Sequence, residues 1–250
     1  MRHVVAHPNA TPQLVRNRTH ESVRTLIERV HAYQDVGAIA GPSGVGKTYL
    51  AERLSRETAA ETFYISLPRR PARKEVLVSL LQELTGKLVN GETYVLAAML
   101  REALADRECI VIIDEVHGLD DVALDQLSHL HGHEDAAWTL LLVGAPKLVT
   151  KLERYEHLSS RCEQILEVPR LEGEDMVATI RGFHPWFAHS PHELILKVNA
   201  EVCGGSLREW ARFLRAVAEI HDLAPRKFDT VDRVVAAAAI HHRKQRRARR

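Results

Sequence analysis

Residues 41–48 constrain this chain more than any other stretch, because they read Gly-Pro-Ser-Gly-Val-Gly-Lys-Thr. This order fits the pattern G-x-x-x-x-G-K-[ST], in which a glycine-rich backbone wraps around a phosphate group. The apolar run Val36–Ala40 precedes it, and residues 49–54 have the composition of a helix. A strand, a glycine-rich turn and a helix in that order are the context that the pattern requires. The sequence therefore predicts a phosphate-binding P-loop.

Each residue type in this loop has a physical task. Glycines permit backbone angles and close approaches that a side chain would block. The loop N–H groups and the following helix N-terminus then converge on an anion. Lys47 supplies a mobile charge for the β- and γ-phosphates, and the Thr48 hydroxyl is a ligand for Mg²⁺. The alternative is a glycine-rich loop with an exposed lysine. The residues expected to contact the nucleotide are Gly41, Pro42, Ser43, Gly44, Val45, Gly46, Lys47, Thr48 and Tyr49.

A pair of acids provides a second signature. Asp114 and Glu115 directly follow the apolar residues 110–113, which have the composition of a buried strand. The C-terminal ends of parallel strands form the ligand crevice of such sheets. We expect Asp114 to hold Mg²⁺ and Glu115 to orient the attacking water. Two exposed acids at a strand end are the alternative. No guanine-reading N-K-x-D follows, which favours ATP over GTP.

Strand and helix patterns alternate up to about residue 169, which predicts a parallel sheet wound by helices. Thr19 is the expected N-cap of a first helix. The strand patterns lie at 36–40, 62–67, 109–113, 138–143 and 164–168, with helical patterns between them at 47–58, 74–85, 92–105 and 120–131. Only helical patterns follow, at 173–183, 191–203, 206–221 and 229–246. We therefore predict an arm at 1–18, an α/β domain at 19–170, a helical domain at 171–240 and a tail at 241–250.

The composition favours a folded protein of the cytoplasm. Of the 250 residues 45% are hydrophobic, which is enough for a sizeable core. No apolar run approaches the roughly 18 residues that span a membrane, and no signal-peptide core follows Met1. The cysteines at 109, 162 and 203 are far apart, as is typical of buried thiols in a reducing compartment. We expect no membrane partner.

The formal charge of +1 is unevenly distributed. Six of the 34 basic residues lie in the last ten positions, which leaves 28 basic against 33 acidic residues elsewhere, a charge of −5. A basic tail on an acidic body favours a polyanion or an acidic protein surface as partner. Binding to DNA, docking of a protein partner and a frayed helix end all stay open for this tail.

The order of motifs resembles that of AAA+ ATPases. Besides the P-loop, it includes Ile110-Val-Ile-Ile-Asp-Glu-Val-His117, Leu141-Leu-Val-Gly-Ala-Pro146, Ser160-Arg161 and Gly204-Gly-Ser-Leu-Arg208. Within them, residues 19–220 are most similar to the transposition-helper ATPases of the Mu B, TnsC and TniB type. The resemblance implies a helical lid after the sheet, with ATP and Mg²⁺ as cofactors. It also implies a homo-oligomer, ring or helical filament, on duplex DNA, with a transposase as partner.

The same resemblance assigns further roles. Ala145 stands where a polar sensor residue is expected, which implies slow, switch-like hydrolysis. Arg161 matches the arginine that reaches a neighbouring subunit's nucleotide, with Arg154 as a weaker candidate. A surface arginine at a helix C-terminus is the alternative for Arg161. Arg208 matches the lid arginine of the family, or it is an ordinary residue in the first turn of a helix.

Two polar segments remain to be interpreted. The basic segment of Arg69, Arg70, Arg73 and Lys74 lies where family members face DNA, and without interleaved aromatic residues it predicts backbone contacts with little sequence preference. A solvated loop is the alternative. Residues 129–135 hold three histidines and two acids. Without a second ligand group we interpret them as a polar loop rather than a zinc site. His117 completes the order D-E-x-H that helicases share.

An ATP-dependent, DNA-binding regulator of transposition is the leading hypothesis. A signalling or scaffold ATPase without DNA binding, including the ExeA-like type, and a replicative helicase loader are the alternatives. The motifs support the ATPase function, whereas only the resemblance supports transposition.

Overall fold

One parallel sheet organises the first two thirds of the chain. The computed structural model describes residues 10–68, 70–155, 161–224 and 227–248. In these ranges the strands are β1 Val36–Ala40, β2 Glu61–Ser66, β3 Cys109–Asp114, β4 Thr139–Gly144 and β5 Cys162–Glu167. They lie in the order β2-β3-β4-β1-β5, and every pairing is parallel. The predicted sheet is confirmed, with β1 as predicted and the bounds of the other strands within two residues of the prediction.

Helices connect the strands and then continue alone. Those around the sheet are α1 Arg18–Ala32, α2 Lys47–Glu57, α3 Arg73–Thr85, α4 Thr93–Leu104, α5 Asp121–His131 and α6 Lys147–Glu153. Those after it are α7 Gly173–Phe183, α8 His192–Val198, α9 Leu207–Leu223 and α10 Arg233–Ala248. A short 3₁₀ turn, Val116–Gly118, directly follows the acidic end of β3. The helical region after the sheet is confirmed.

The burial of the strands follows from their position in the sheet. Every residue of β1, β3 and β4 is buried, because these inner strands are covered on both faces. That is why each reads as a continuous apolar run rather than as an alternating one. The edge strand β5 has no fully buried residue. Its weaker apolar character in the sequence has the same cause.

The strand order determines what lies near the P-loop. β4 pairs with β1 on one side and with β3 on the other, so it separates the P-loop strand from the acidic strand. The Gly41 N–H donates to the Gly144 carbonyl at 3.2 Å, which joins the end of β1 to the end of β4. Three strand ends therefore lie side by side, and the residues that follow them share one edge of the sheet.

The chain divides into two compact units. The sheet unit holds residues 21–42 and 47–168. The helical unit holds the described residues before Glu21, the P-loop turn Ser43–Gly46, and the described residues after Val168. The division into four segments made from the sequence stays a prediction.

Aromatic side chains form the centre of the helical unit. Phe187 lies edge-on to Trp210 at 5.7 Å between ring centroids and stacks on Phe213 at 6.2 Å. Trp210 and Phe213 are themselves edge-to-face at 5.7 Å. All three are nearly inaccessible to solvent. Such aromatic pairs contribute about 0.5–1.5 kcal/mol each beyond burial, which gives a small all-helical unit a well-packed core.

Local details correct several predictions. Thr19 is not the N-cap of α1, because Asn17 Oδ1 accepts the His20 N–H at 2.9 Å and α1 begins at Arg18. The predicted helix at 191–203 ends at Val198 and continues as a π-helical turn, Asn199–Cys203. Helix α10 begins four residues later and ends two residues later than the predicted pattern at 229–246. Helix α6 has no counterpart among the predictions. No helix of the described residues combines the length and apolarity needed to cross a membrane.

Candidate nucleotide-binding site

Asp114 is held by hydrogen bonds at the C-terminal edge of the sheet. Its Oδ2 accepts the Thr48 hydroxyl at 2.6 Å and the Tyr64 hydroxyl at 3.2 Å, and its Oδ1 accepts the Glu115 N–H at 2.7 Å. The carboxylate is 7% exposed, so these bonds fix it firmly. Burial, followed by the Asp114 charge, raises the pKa of Tyr64, which keeps this hydroxyl a hydrogen-bond donor. The two predicted metal ligands, Thr48 and Asp114, are thus in direct contact.

Lys47 begins α2 and is buried within the loop that it closes. Its Nζ donates to the carbonyl of Gly41 at 2.8 Å and to that of Pro42 at 2.9 Å. Gly41 has no room for a side chain, since a Cβ there would collide with the carbonyl oxygen of Val168. The backbone therefore turns tightly around the ammonium group. Such a group, held close to the N-terminus of α2, is suited to pairing with phosphate oxygens.

Within the helical unit, the P-loop turn contacts the start of α9. The Gly44 carbonyl accepts the Arg208 N–H at 3.0 Å and the Ser206 hydroxyl at 3.4 Å. Gly44 has φ +87°, and a Cβ at this position would collide with Ser206 Oγ. The Arg208 guanidinium donates to Ser43 Oγ at 2.6 Å. The arginine predicted to sense the nucleotide thus lies on the turn that wraps the phosphates in P-loop proteins.

Glu115 leaves the strand in a left-handed backbone conformation, with φ +61° and ψ +24°. This conformation is uncommon for a residue with a side chain and is frequent at functional sites. It directs the chain into the 3₁₀ turn, and the Glu115 side chain is 54% exposed. Unlike the Asp114 carboxylate, this group is accessible to water. The two adjacent acids therefore differ in surroundings, while their roles as metal ligand and base stay predictions.

His117 lies between Glu115 and the end of β4. Its Nδ1 accepts the Ala145 N–H at 3.3 Å and lies 3.2 Å from Glu115 Oε2. Burial lowers the pKa of His117 below its usual value, while Glu115 opposes the shift. Ala145 is the residue that the resemblance aligns with the sensor of the family. Its backbone, rather than its side chain, therefore makes the polar contact observed there.

Arg161 lies at the end of α5. Its guanidinium fills the space above Gly132, where a side chain would otherwise be, and Gly132 is the C-cap of that helix. A cation is favourable at a helix C-terminus. The sequence left open that Arg161 is a surface arginine at a helix C-terminus, and its observed location is of that kind. Its role towards a neighbouring subunit stays a prediction, as does that of Arg154.

The basic segment follows β2. Arg70, Arg73 and Lys74 are exposed, while Arg69 lies outside the described residues. Arg73 contacts Gln126 of α5, and Arg73 and Lys74 open α3. The positive end of α3 adds to their charge, because the first N–H groups of a helix carry partial positive charge. This surface is suited to phosphate groups.

The residues present fit a nucleotide with Mg²⁺. The Thr48 hydroxyl and the Asp114 carboxylate are hard oxygen donors within 2.6 Å of each other. Mg²⁺ prefers oxygen ligands and takes few from the protein when phosphates supply the rest. Within the described part of the chain, no three His, Cys, Asp or Glu side chains are grouped to hold a metal ion. This includes the histidines of residues 129–135.

Sequence reasoning missed the contributions of Tyr64 and Ser206. Tyr64 lies between two buried residues of β2 and points to the other face of the strand. Its polar hydroxyl on that face was the one sequence signal of a role in the site. Ser206 is the N-cap of α9 and accepts the Glu209 N–H. A serine before a helical pattern predicts the cap, but its second contact with Gly44 depends on the fold.

The strand order and the site geometry are those of the P-loop fold of the AAA+ type. Residues 30–152 match the AAA domain family. The fold is similar to that of the Aeropyrum pernix ORC2 protein in its ADPNP–ADP complexes, with a TM-score of 0.69 and 17% identity over 94% of this chain and 70% of that one. It is also similar to the Aeropyrum pernix ORC1 protein in complex with DNA, with a TM-score of 0.68 and 17% identity over 93% and 67% of the two chains.

A curated relative defines the resemblance further. The chain is 24% identical over 206 residues to the Mu-like prophage FluMu DNA transposition protein B of Haemophilus influenzae. The match covers 79% of this chain and 70% of the relative. The predicted resemblance to AAA+ ATPases of the transposition-helper type is thus confirmed.

Proposed function

We propose that this chain is an ATP-dependent AAA+ ATPase that binds duplex DNA without sequence preference, oligomerises on it and regulates target selection by a transposase. The fold and the P-loop support the ATPase function. The relative named for DNA transposition supports the biological role. The neighbour solved in complex with DNA adds support for a DNA partner.

The contact between Thr48 and Asp114 carries the nucleotide part of the proposal. It joins two motifs that lie 66 residues apart in sequence, and both side chains supply oxygen donors. When bound, Mg²⁺ would neutralise charge on the phosphates, with Thr48 and Asp114 as the protein residues that hold it. Lys47 would exchange its bonds with the Gly41 and Pro42 carbonyls for phosphate oxygens. The P-loop N–H groups would bind the same phosphates.

Hydrolysis would depend on Glu115, which is exposed and adjacent to the fixed carboxylate of Asp114. Its carboxylate would orient and polarise the attacking water. Arg208 would sense the γ-phosphate, since it already lies on Ser43 of the P-loop turn. Arg161 would complete the site of a neighbouring subunit by stabilising charge in the transition state. The missing sensor hydroxyl at Ala145 supports a slow ATPase that acts as a switch.

DNA binding would use the exposed cations after β2. Arg70, Arg73 and Lys74 are close in sequence, and Arg73 and Lys74 lie at the positive end of α3. Contacts of this kind read phosphates rather than bases, so the binding would have little sequence preference. Repetition along an oligomer would multiply the contacts and make the affinity depend strongly on salt.

Titration of fluorescent duplex DNA tests the proposal. Affinity is measured with a non-hydrolysable ATP analogue and Mg²⁺, with ADP, and without nucleotide, over a series of salt concentrations. We expect tight binding only with the analogue, a steep salt dependence, and an increase in particle size in the same samples. Lys47→Ala should bind neither the analogue nor DNA under these conditions.

The alternative functions predict different results. A signalling or scaffold ATPase would bind the analogue and assemble, but DNA would have no effect. A helicase loader would bind single-stranded DNA or a helicase rather than form long oligomers on duplexes. Absence of duplex binding at low salt with the analogue bound would overturn the DNA part of the proposal and leave the ATPase part intact.

A further inference from the structure

The contacts of His117 raise a question about hydrogen-bond chemistry. The Ala145 N–H is a donor, so the Nδ1 atom that accepts it at 3.3 Å carries no proton in that contact. The Glu115 carboxylate, 3.2 Å from the same Nδ1, is an acceptor only. One nitrogen cannot satisfy both neighbours in a single protonation state. Each contact therefore belongs to a different state of the imidazole.

The neutral ring with its proton on Nε2 satisfies Ala145. In that state Nδ1 presents a lone pair to Glu115, and the two acceptors form no hydrogen bond with each other. The protonated ring instead donates Nδ1–H to Glu115 as a charge-assisted hydrogen bond. The Ala145 N–H then loses its partner. The proton on His117 thus selects which of the two groups the ring holds.

The backbone around His117 is held in place, which keeps the ring beside these two groups. The 3₁₀ turn is fixed by bonds from the Gly118 N–H to the Glu115 carbonyl and from the Leu119 N–H to the Val116 carbonyl, at 2.9 and 3.0 Å. Val116 is fully buried beneath the turn. The side chain of His117 is 22% exposed, so protons reach it from solvent.

We propose that His117 is a positioning residue for Glu115. Its imidazole makes the polar contact at the end of β4 that the side chain of Ala145 cannot make. When neutral, His117 is held by the Ala145 N–H and leaves the Glu115 carboxylate available to orient water. When protonated, it holds that carboxylate in an ion pair and suppresses hydrolysis. This inference rests on the proposed role of Glu115 in ATP hydrolysis.

The charged groups around the ring favour the neutral state at neutral pH. Burial and the cations Lys147 and Lys47 disfavour the imidazolium, whereas the carboxylates of Glu115 and Asp114 favour it. Because the pKa of His117 lies below its usual value, the ring is neutral at pH 7 and gains its proton on acidification. Hydrolysis should therefore be lost as the pH falls through the folded-state pKa of His117.

The first test is the pH profile of kcat in His117→Asn. Asparagine keeps an acceptor for the Ala145 N–H but cannot become a cation. With each profile normalised to its own maximum, wild type should lose roughly tenfold in kcat per pH unit below the pKa, and H117N should lack this limb. KM for ATP should change less than kcat. His129→Asn, an exposed histidine on α5, is the matched control and should keep the wild-type profile.

The second test does not need activity. NMR of protein with ¹³C-labelled histidine follows the titration of His117 in wild type and in Glu115→Gln. Without the carboxylate the imidazolium loses its partner, so the apparent pKa should fall in E115Q. An unchanged titration in E115Q, or an unchanged acid limb in H117N, would overturn the inference. If E115Q hydrolysed ATP normally, the proposed role of Glu115 would fail instead, so the two failures are distinguishable.

Discussion

The acidic edge of the sheet and the basic segment after β2 differ in how their charges are held. Asp114 is buried and bonded by three donors. Arg70 and Lys74 are exposed, and Arg73 contacts the neutral side chain of Gln126. A charge in the first region has a defined geometry, whereas a charge in the second contributes mainly to a local field.

Single atoms therefore matter more at the acidic edge than on the basic segment. At Asp114, a hydrogen bond is made or lost in a mostly water-excluded place, so a small substitution has a large effect. On the exposed segment each charge is screened by salt and acts together with its neighbours. The proposed nucleotide and DNA sites should therefore respond to mutation in different ways.

The largest effect is expected for Glu115→Gln. The amide cannot accept a proton from water, so kcat should fall by about 10² to 10³-fold, while the affinity for ATP stays near that of wild type. Phosphate release and binding of a fluorescent ATP analogue measure the two quantities. An equal loss of binding and hydrolysis would place Glu115 in nucleotide binding rather than in the chemical step.

A smaller effect, visible mainly through salt, is expected for the double variant Arg70→Glu and Lys74→Glu. Removing two phosphate contacts should reduce the slope of log Kobs against log salt by roughly 2 for duplex DNA. The exposed pair Lys87→Glu and Arg101→Glu has the same change in charge and is the matched control. Equal losses in both pairs would mean that only the net charge matters, and that the basic segment is a solvated loop.

A gain of a few fold is expected for Ala145→Thr. Its hydroxyl would supply the sensor group that this chain lacks, and we expect kcat to rise by about three- to tenfold. Ala145→Val has a similar shape without the hydroxyl and should show no gain. Steady-state ATPase assays at saturating ATP compare the three proteins. A gain in the valine variant as well would point to packing rather than to hydrogen bonding.

The smallest effect on DNA affinity, within about twofold, is expected for Arg243→Met. Although it belongs to the predicted basic tail, Arg243 is 8% exposed, ion-pairs with the Glu209 carboxylate and donates to the Glu209 carbonyl at 3.1 Å. Breaking this largely buried pair should instead reduce the free energy of unfolding by about 1–3 kcal/mol. Lys244→Met, at an exposed position, is the control. Denaturant titration measures stability, and a tenfold loss of DNA affinity in R243M would contradict the assignment.

The same pair predicts a dependence on pH. Burial alone would raise the pKa of Glu209, but Arg243 and Arg212 lower it below the usual value. The stabilisation is therefore present above the unfolded-state pKa of about 4.3 and is lost as the pH falls through the folded-state value. The difference in stability between wild type and R243M should shrink in acid.

The nucleotide motifs and the alternation of strands and helices could be read from residue order alone. Residues 41–48 and the acids at 114 and 115 are local patterns, and residue type and spacing are enough to indicate their chemistry. The buried strands were equally readable, because an inner parallel strand must be apolar on both faces. Even the departure at Ala145 was visible, since alanine has no polar side chain.

Which side chains meet depends on the three-dimensional fold. The strand order places β4 between β1 and β3, and no local pattern specifies that order. Thr48 and Tyr64 come from different elements and meet at Asp114 only after the sheet has formed. The contact of His117 with the Ala145 N–H likewise joins residues 28 positions apart. Hydrogen bonds depend on distance and direction in space, which residue identity alone does not specify.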